Sequence, residues 1–317
     1  MKKIFYAICM ALPLVSASQY TYDQLEVNLL SNETAAKFFT FQNLRLYPIK
    51  AKPAFQKTFR DVGKYMSLKQ AIDGKKVRIN EKPGGGSVNE LMIENTSQDT
   101  IIVITGEIIK GGKQDRVVNQ DMVLPPRSGK KTMPVFCVES GRWSYSGKGE
   151  QKEFDTHFSV GAVSLRKVVD QEKDQAKVWS KVAEINQKNK TSSSTQTYAG
   201  IVNSKGFNDK LAAYKKFFNE RFSKEDHVIG VIAVSGNKIL SCDMFATSWL
   251  LKQNFDNLIS SYATDAIIEG SPVTIAPSNV KNYMDKLLKN EEVQQATLKE
   301  KGKSFSEKGK KLRVSSY

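Results

Sequence analysis

Alternating apolar and polar positions between residues 40 and 143 predict a series of short β-strands. The stretch FQNLRLYPI, residues 41–49, is the first, and the others are residues 76–81, 88–95, 100–109, 116–124 and 130–139. The turn signals PGGGS, NTSQD, KGGK and PPRSG separate these strands. Strands in such close succession are typical of antiparallel sheets, so this half is predicted to be an antiparallel, β-sandwich-like assembly.

Between residues 157 and 290 the apolar positions change to helical spacing. Helices are predicted over residues 168–188, 207–222 and 249–268, and a further helix after Pro277. A buried β-hairpin, residues 228–234 and 238–244, turns about Ser235-Gly236-Asn237, while the polar stretch 186–197 predicts a disordered loop or hinge. The fold class is therefore α+β. A single domain over residues 40–290 packs a β-rich half (40–143) with a helix and β-hairpin half (157–290), after an N-terminal segment at 18–39.

The first 17 residues have the pattern of a signal peptide. Lys2 and Lys3 precede an apolar run, and Val15-Ser16-Ala17 places small residues at a cleavage site. This run is too short to span a bilayer as a helix, and no later apolar run approaches the length of a transmembrane segment. The sequence therefore predicts cleavage after Ala17 and export to the periplasm or the extracellular space.

The chain is strongly basic, and much of the excess charge lies at its C-terminal end. Removal of Lys2 and Lys3 lowers the formal net charge from +15 to +13. Residues 299–317 carry seven Lys and Arg against two Glu and show no apolar period, which predicts a disordered basic tail over residues 291–317. Only Phe305 and Tyr317 are aromatic there, so nucleic acid is not the expected partner. An anionic small molecule or envelope polymer fits the charge better.

Few residues suit the common catalytic chemistries. His157 and His227 are the only histidines, and neither lies in a metal-binding spacing, so no metal is expected. No phosphate-binding or dinucleotide-binding glycine motif predicts a cofactor, and no nucleophile elbow accompanies a serine triad. Cys137 and Cys242 lie within strand patterns, which is typical of buried structural thiols.

The stretch from Gly106 to Trp143, GEIIKGGKQDRVVNQDMVLPPRSGKKTMPVFCVESGRW, concentrates polar side chains at the ends of predicted strands. We expect these side chains to converge at one sheet edge and form a site. The candidate catalytic residues are Glu107 and Glu139, as an acid/base pair, and the candidate ligand-binding residues are Lys113, Gln114, Arg116, Asn119, Arg142 and Trp143. The alternative is that these groups cap loops and pair with one another.

This stretch resembles the central motif of a bacterial domain family named for its association with ADP-ribosylglycohydrolases and rhodanese-phosphatases, whose activity is not established. A second block is similar to the family's C-terminal motif: a strand through Asp243 and Phe245 leads to a helix that ends in SYATDA, residues 261–266. With NLRLYPI and GGSVNELMIENTS, the resemblance covers residues 40–270 and leaves the basic insertion at 51–65 and the charged tail without a counterpart.

Three functions remain open at this point. The first is an exported soluble protein that binds an anionic ligand at the polar Glu, Gln, Arg and Trp residues of the 106–143 stretch. The second is an enzyme that acts on a nucleotide-like or ADP-ribose-like substrate through Glu107 and Glu139. That substrate class is implied only by the association of the family with ADP-ribosylglycohydrolases. The third is a purely structural, envelope-associated protein. The sequence makes no prediction of oligomeric state.

Overall fold

The computed structural model describes residues 20–30, 32–82, 89–142 and 153–317. The strands in these residues are β1 (Leu25–Val27), β2 (Thr40–Phe41), β3 (Leu44–Ala51), β4 (Met66–Ser67), β5 (Val77–Glu81), β6 (Glu90–Asn95), β7 (Ile101–Val103), β8 (Glu107–Gly111), β9 (Arg116–Val118), β10 (Met122–Leu124), β11 (Lys131–Cys137), β12 (Phe154–Val160), β13 (Val228–Ser235), β14 (Lys238–Phe245), β15 (Gly302–Glu307) and β16 (Lys310–Ser316). The helices are α1 (Glu33–Phe38), α2 (Pro53–Thr58), α3 (Leu68–Asp73), α4 (Val163–Lys167), α5 (Gln175–Lys188), α6 (Lys205–Phe222), α7 (Ser248–Ile268), α8 (Pro277–Leu288) and α9 (Glu291–Lys301). A π-helical turn, Val168–Glu172, and a 3-10 turn, Tyr198–Asn203, complete them. The α+β class is confirmed.

A seven-stranded antiparallel sheet forms the centre of the molecule, in the order β1-β3-β13-β14-β16-β15, with β2 paired to β3. Every residue of β13, VIGVIAVS, is buried, as expected of a central strand covered on both faces. The predicted hairpin of β13 and β14 is confirmed, and Gly236 at its turn has the positive φ (57°) that such turns require. The long helix α7 packs on β13 and β14, and α6 packs on α7.

The remaining strands form a six-stranded sheet, β12-β8-β9-β11-β6-β5, and a three-stranded sheet, β10-β7-β4. Two predicted strands each divide between these sheets: residues 100–109 become β7 and β8, and residues 116–124 become β9 and β10. A hydrogen bond joins the two points where these strands divide: the Thr105 amide, between β7 and β8, donates to Asp121 Oδ1, between β9 and β10, at 2.6 Å. Gly106, beside this bond, adopts a φ of 93° that favours glycine.

The prediction that residues 291–317 form a disordered tail is wrong. Helix α9 covers part of this segment, and β16 lies between β14 and β15 in the central sheet. Leu312 is 1% exposed and Val314 is 0% exposed. The basic residues on either side of Leu312 are paired rather than solvated: Lys311 binds Glu291, and Arg313 binds Asp121 and Asp243. A charge pattern that suggests a solvated tail therefore belongs to a core strand.

Several smaller expectations can be compared with the structure. Helix α3 begins with a capping box that pairs Ser67 with Gln70. Residues 186–197 are not a disordered hinge, since the Asn186 side chain donates to the Thr197 carbonyl at 3.0 Å. Cys137 and Cys242 are both buried, and no disulfide joins them. Across the described residues no helix is long and apolar enough to cross a membrane. The predicted signal peptide at 1–17 lies outside the described residues.

Removal of residues 302–317 is expected to destabilise the whole protein. The truncation deletes β15 and β16, exposes β14 as a sheet edge and leaves Asp243 and Asp121 without Arg313. The loss of two buried aliphatic side chains and a buried cation should lower the melting temperature by at least about 10 °C or prevent soluble expression. Thermal unfolding of the truncated chain, beside an exposed-site control such as Lys308→Ala, measures this. A melting temperature equal to that of the full chain would contradict the core role of β16.

Candidate functional site

Part of the polar stretch does converge, at the turn between β8 and β9. Glu139 is the centre of this cluster: its Oε2 accepts from the Asp115 amide at 3.0 Å and from Arg142 Nε at 2.9 Å. Its carbonyl oxygen accepts from Gln114 Nε2 at 2.6 Å. Burial acts to raise the pKa of Glu139, but the hydrogen bonds from Arg142 and Thr195 outweigh it and hold the pKa below its ordinary value. Glu139 is therefore ionised, and it holds Gln114, Asp115 and Arg142 in place through hydrogen bonds.

Both candidate arginines are engaged by the protein itself. Arg116 is 0% exposed, and it donates to the Gln114 carbonyl at 2.8 Å and to Glu81 Oε1 at 3.3 Å. Glu81 Oε1 also accepts from the Lys113 amide at 2.9 Å. Arg142 donates to the Gly112 carbonyl and pairs with Asp115 and Glu139. Three carboxylates, those of Glu81, Asp115 and Glu139, thus surround the two guanidinium groups. They already neutralise the positive charge of the arginines, so the cluster does not favour an added anion.

Other predicted site residues lie elsewhere. Glu107 is at the far end of β8, four residues before Gly111 and thus about 13 Å from the turn. Its side chain, 0% exposed, accepts from the Ile104 amide at 2.8 Å and contacts His157 Nε2 at 3.1 Å. The expected convergence of Glu107 with Glu139 as an acid/base pair is therefore wrong, because the β8–β9 hairpin reverses at Gly111–Asp115 and carries Glu107 away.

Asn119 also lies apart from the polar cluster, beyond the end of β9, where its carbonyl accepts from Lys303 at 3.4 Å. Trp143 lies outside the described residues.

A second polar network, the Asp243 centre, lies in the core. Asp243 is 0% exposed and accepts from Arg166 (2.5 and 3.1 Å), Arg313 (3.0 Å), Ser315 (2.7 Å), Tyr262 (2.8 Å) and Ser241 (3.2 Å). Burial by itself would raise the pKa of Asp243, but the two guanidinium groups hold it well below its ordinary value. The carboxylate has its hydrogen-bonding capacity filled by the protein, so this centre organises the fold instead of receiving a ligand.

Beside this core lies an open cavity, which we name the hairpin cleft, with a volume of about 570 Å³. It is bounded by α4, α5, the turn between β13 and β14, and the C-terminal end of α7. Its polar lining residues include Ser164, Lys167, Lys181, Glu184, Ser235, Lys238, Asp265 and Glu269. Volumes of this size are typical of small-molecule sites.

Positive charge in the hairpin cleft is only partly neutralised. Lys181 pairs with Glu184 at 2.5 Å, and Glu184 and Glu269 both pair with Lys188. Lys167 and Lys238 are exposed. Neither has an ion-pair partner among the residues that the structure describes. Two ammonium groups therefore remain available at the rim.

A carboxyl group and a hydroxyl group line the hairpin cleft. Asp265 accepts from Ser164 Oγ at 2.6 Å and from the Ser164 amide at 3.2 Å. Its side chain keeps some solvent contact, yet the surrounding protein desolvates it enough to raise its pKa to about 6. Ser235 Oγ is buried, and no hydrogen-bond partner for it exists among the described residues. An unsatisfied buried hydroxyl at a cavity wall is a position where a ligand atom gains a hydrogen bond.

Sequence reasoning did not identify the hairpin cleft. Asp265 belongs to the motif SYATDA, residues 261–266, but that motif does not predict that Asp265 lies near Lys167 or Lys238. The lysines come from α4 and from the start of β14, and only the tertiary fold brings them together. Within the described parts of the chain, no group of three or more His, Cys, Asp or Glu side chains is arranged to hold a metal ion.

The substitution Arg116→Ala is expected to act mainly on stability. It would leave Glu81 without its ion-pair partner inside the protein and remove the donor to the Gln114 carbonyl. Loss of one partner of a buried pair costs about 3 kcal/mol, which urea unfolding resolves easily. Lys131→Ala, an exposed position on β11, is the control and should change the free energy of unfolding by less than about 0.5 kcal/mol. A stable Arg116→Ala variant that instead loses affinity for an anionic ligand would restore the polar cluster as a binding site.

Comparison with known proteins agrees with the resemblance found in the sequence. A family model described as ARPP-1, the ARG and Rhodanese-Phosphatase-superfamily-associated Protein domain, matches residues 33–316. No curated protein and no solved structure gives a significant match. The matched range contains the polar cluster, the Asp243 centre, the hairpin cleft and strand β16. The chain therefore belongs to the ARPP-1 domain family.

Proposed function

We propose that the chain is an exported protein that binds a small ligand through an anionic group, and that the hairpin cleft is its binding site. The proposal keeps the ligand class expected from the sequence and moves the site away from the 106–143 stretch. Export rests on the pattern of residues 1–17, where Lys2, Lys3 and an apolar run precede Val15-Ser16-Ala17.

The observation that carries the proposal is the position of two ammonium groups, Lys167 and Lys238, at the rim of a cavity of about 570 Å³. Neither group has an ion-pair partner in the part of the chain that the structure describes. Elsewhere in the described residues the arginines of the two polar networks are already paired with carboxylates. Arg116 and Arg142 bind the carboxylates of the polar cluster, and Arg166 and Arg313 bind Asp243. An anionic ligand therefore meets less competition at the hairpin cleft than at either network.

The remaining polar groups of the cleft suit the uncharged part of such a ligand. Ser235 Oγ lacks a partner within the described residues, and Asp265 offers a carboxyl oxygen to a hydroxyl group. A small molecule with a phosphate, sulfate or carboxylate group and adjacent hydroxyls matches this lining.

The two alternatives have less support. An enzyme that uses Glu107 and Glu139 together needs both carboxylates at one substrate, and they lie at opposite ends of β8. A purely structural role fits the polar cluster, whose charges pair with one another. It does not account for Lys167, Lys238 and the Ser235 hydroxyl in the hairpin cleft.

The proposal predicts that sulfate binds at the hairpin cleft. Sulfate is a suitable probe because it does not titrate near neutral pH. The double substitution Lys167→Ala with Lys238→Ala should weaken sulfate binding about tenfold or more, as measured by NMR titration at low ionic strength. Both lysines are exposed, so the melting temperature should hardly change. Lys210→Ala, an exposed lysine on α6, is the matched control and should bind sulfate like the unmodified protein.

Sulfate binding should also strengthen as the pH falls from about 7.5 to about 5. Asp265, with a pKa raised to about 6, is ionised at the upper value and largely protonated at the lower one. Protonation of Asp265 removes a negative charge from a cleft that is also lined by the ammonium groups of Lys167, Lys181 and Lys238. Glu184 and Glu269 face the cleft as well, but lysines pair with them. Asp265→Asn should therefore remove most of the pH dependence. Equal sulfate affinity in the lysine double variant and the control would overturn the proposed site.

A further inference from the structure

We propose that a second cavity, separate from the hairpin cleft, binds a neutral saccharide. This Trp249 cleft has a volume of about 560 Å³ and lies between the end of α6, the start of β13 and the first turns of α7. It shares no lining residue with the hairpin cleft. Three aromatic side chains line it, Trp249, Phe222 and Phe255, together with Asn219, Ser223, Asp226, His227 and Ser248.

Trp249 is exposed and yet held in place. Its relative exposure of 40% makes it one of the few large apolar residues at the surface of the described chain. The indole Nε1 donates to the Tyr65 carbonyl at 3.2 Å, and the Lys64 ammonium lies 5.1 Å from the ring centroid. A fixed indole presents a flat apolar surface at little entropic cost on binding, which is what stacking on a ligand ring requires.

The deeper wall of the Trp249 cleft is apolar. Phe222 is 9% exposed and Phe255 is 7% exposed, and their ring centroids are 4.6 Å apart. Both rings belong to the main hydrophobic core, so this wall is rigid. Trp249 and the two phenylalanines together offer an apolar surface to one face of a ligand.

The polar rim is electrically balanced. Glu225 pairs with Lys50 at 2.8 Å, and Asp256 pairs with Lys215 at 2.6 Å and accepts from Asn219 at 2.9 Å. Asp226 has no ion-pair partner among the described residues, and the side chain of Lys252, of opposite sign, also lines the cleft. This balance gives no preference for an anion or a cation. Ionised carboxylates do accept strong hydrogen bonds from hydroxyl groups.

The backbone at the rim supports a constrained site. His227 adopts a φ of 59°, which is uncommon for a residue other than glycine, and its carbonyl accepts from the Ala51 amide at 2.9 Å. Such strain persists where the surrounding structure imposes it, often beside a ligand. An apolar wall with a neutral, hydroxyl-binding rim is complementary to a sugar ring, which has C–H groups on its face and hydroxyl groups at its edge.

Cellobiose, maltose and N,N′-diacetylchitobiose are the probes that test this inference. At least one of them should shift the Trp249 indole N–H resonance of the full chain, which Trp249→Phe assigns. Trp249→Ala should weaken binding of that disaccharide about tenfold or more while the protein stays folded, because the side chain is exposed. Trp179→Ala removes a tryptophan from α5, outside the cleft, and should leave the affinity unchanged.

Either of two results would overturn the inference. One is the absence of any shift at Trp249 with all three disaccharides at tens of millimolar. The other is an equal loss of affinity in Trp249→Ala and Trp179→Ala. A shift caused by an alkylammonium probe such as tetramethylammonium, with none from the sugars, would likewise refute saccharide binding and assign the cleft to cations. None of these results bears on sulfate binding at the hairpin cleft.

Discussion

The carboxylate of Asp243 is the constraint on which the described structure depends. Removing a charged group from water is costly unless its partners replace the lost hydration. Asp243, at 0% exposure, receives hydrogen bonds from α4, α7, β14 and β16, through Arg166, Tyr262, Ser241, and the pair Arg313 and Ser315. Each donor comes from a different position in the chain, so the elements must take up their relative positions together. The second bond of Arg313, to Asp121 at 2.7 Å, connects this centre with the β-rich half.

This constraint explains why the two halves interleave instead of forming separate domains. Strand β3, from the N-terminal part, lies beside β13, and β16, from the C-terminal end, lies beside β14. Asp121 sits where the chain passes from β9 to β10, at the crossing between two sheets. The polar cluster at Glu139 is a second internal network of the same kind. Since these networks already occupy the buried arginines Arg116, Arg166 and Arg313, we place ligand binding in surface clefts instead.

Local patterns predicted much of the fold. The β13–β14 hairpin depends on residues adjacent in sequence, so the alternating pattern and the turn residues were enough to predict it. The sequence did not predict strand β16, because a lysine or arginine in a sequence gives the same signal whether it belongs to a solvated tail or to a buried ion pair. Only the partner tells them apart, and Asp121 is 192 residues from Arg313. The polar cluster was partly predicted because one hairpin turn gathers Gln114, Asp115 and Arg116. Glu107 was misplaced because the position of that turn decides which end of β8 faces the cluster.

The free energy of unfolding of Asp243→Asn, measured with urea as a function of pH, tests the central claim most directly. The pKa of Asp243 is held well below its ordinary value, so its contribution is fully present above the unfolded pKa of about 4 and declines as the pH falls below that value. The account predicts that the variant loses about 3 kcal/mol or more at neutral pH, and that the deficit shrinks in acid. A deficit below about 1 kcal/mol at neutral pH would contradict it, as would one that stays constant in acid, since the fold would then not depend on this carboxylate.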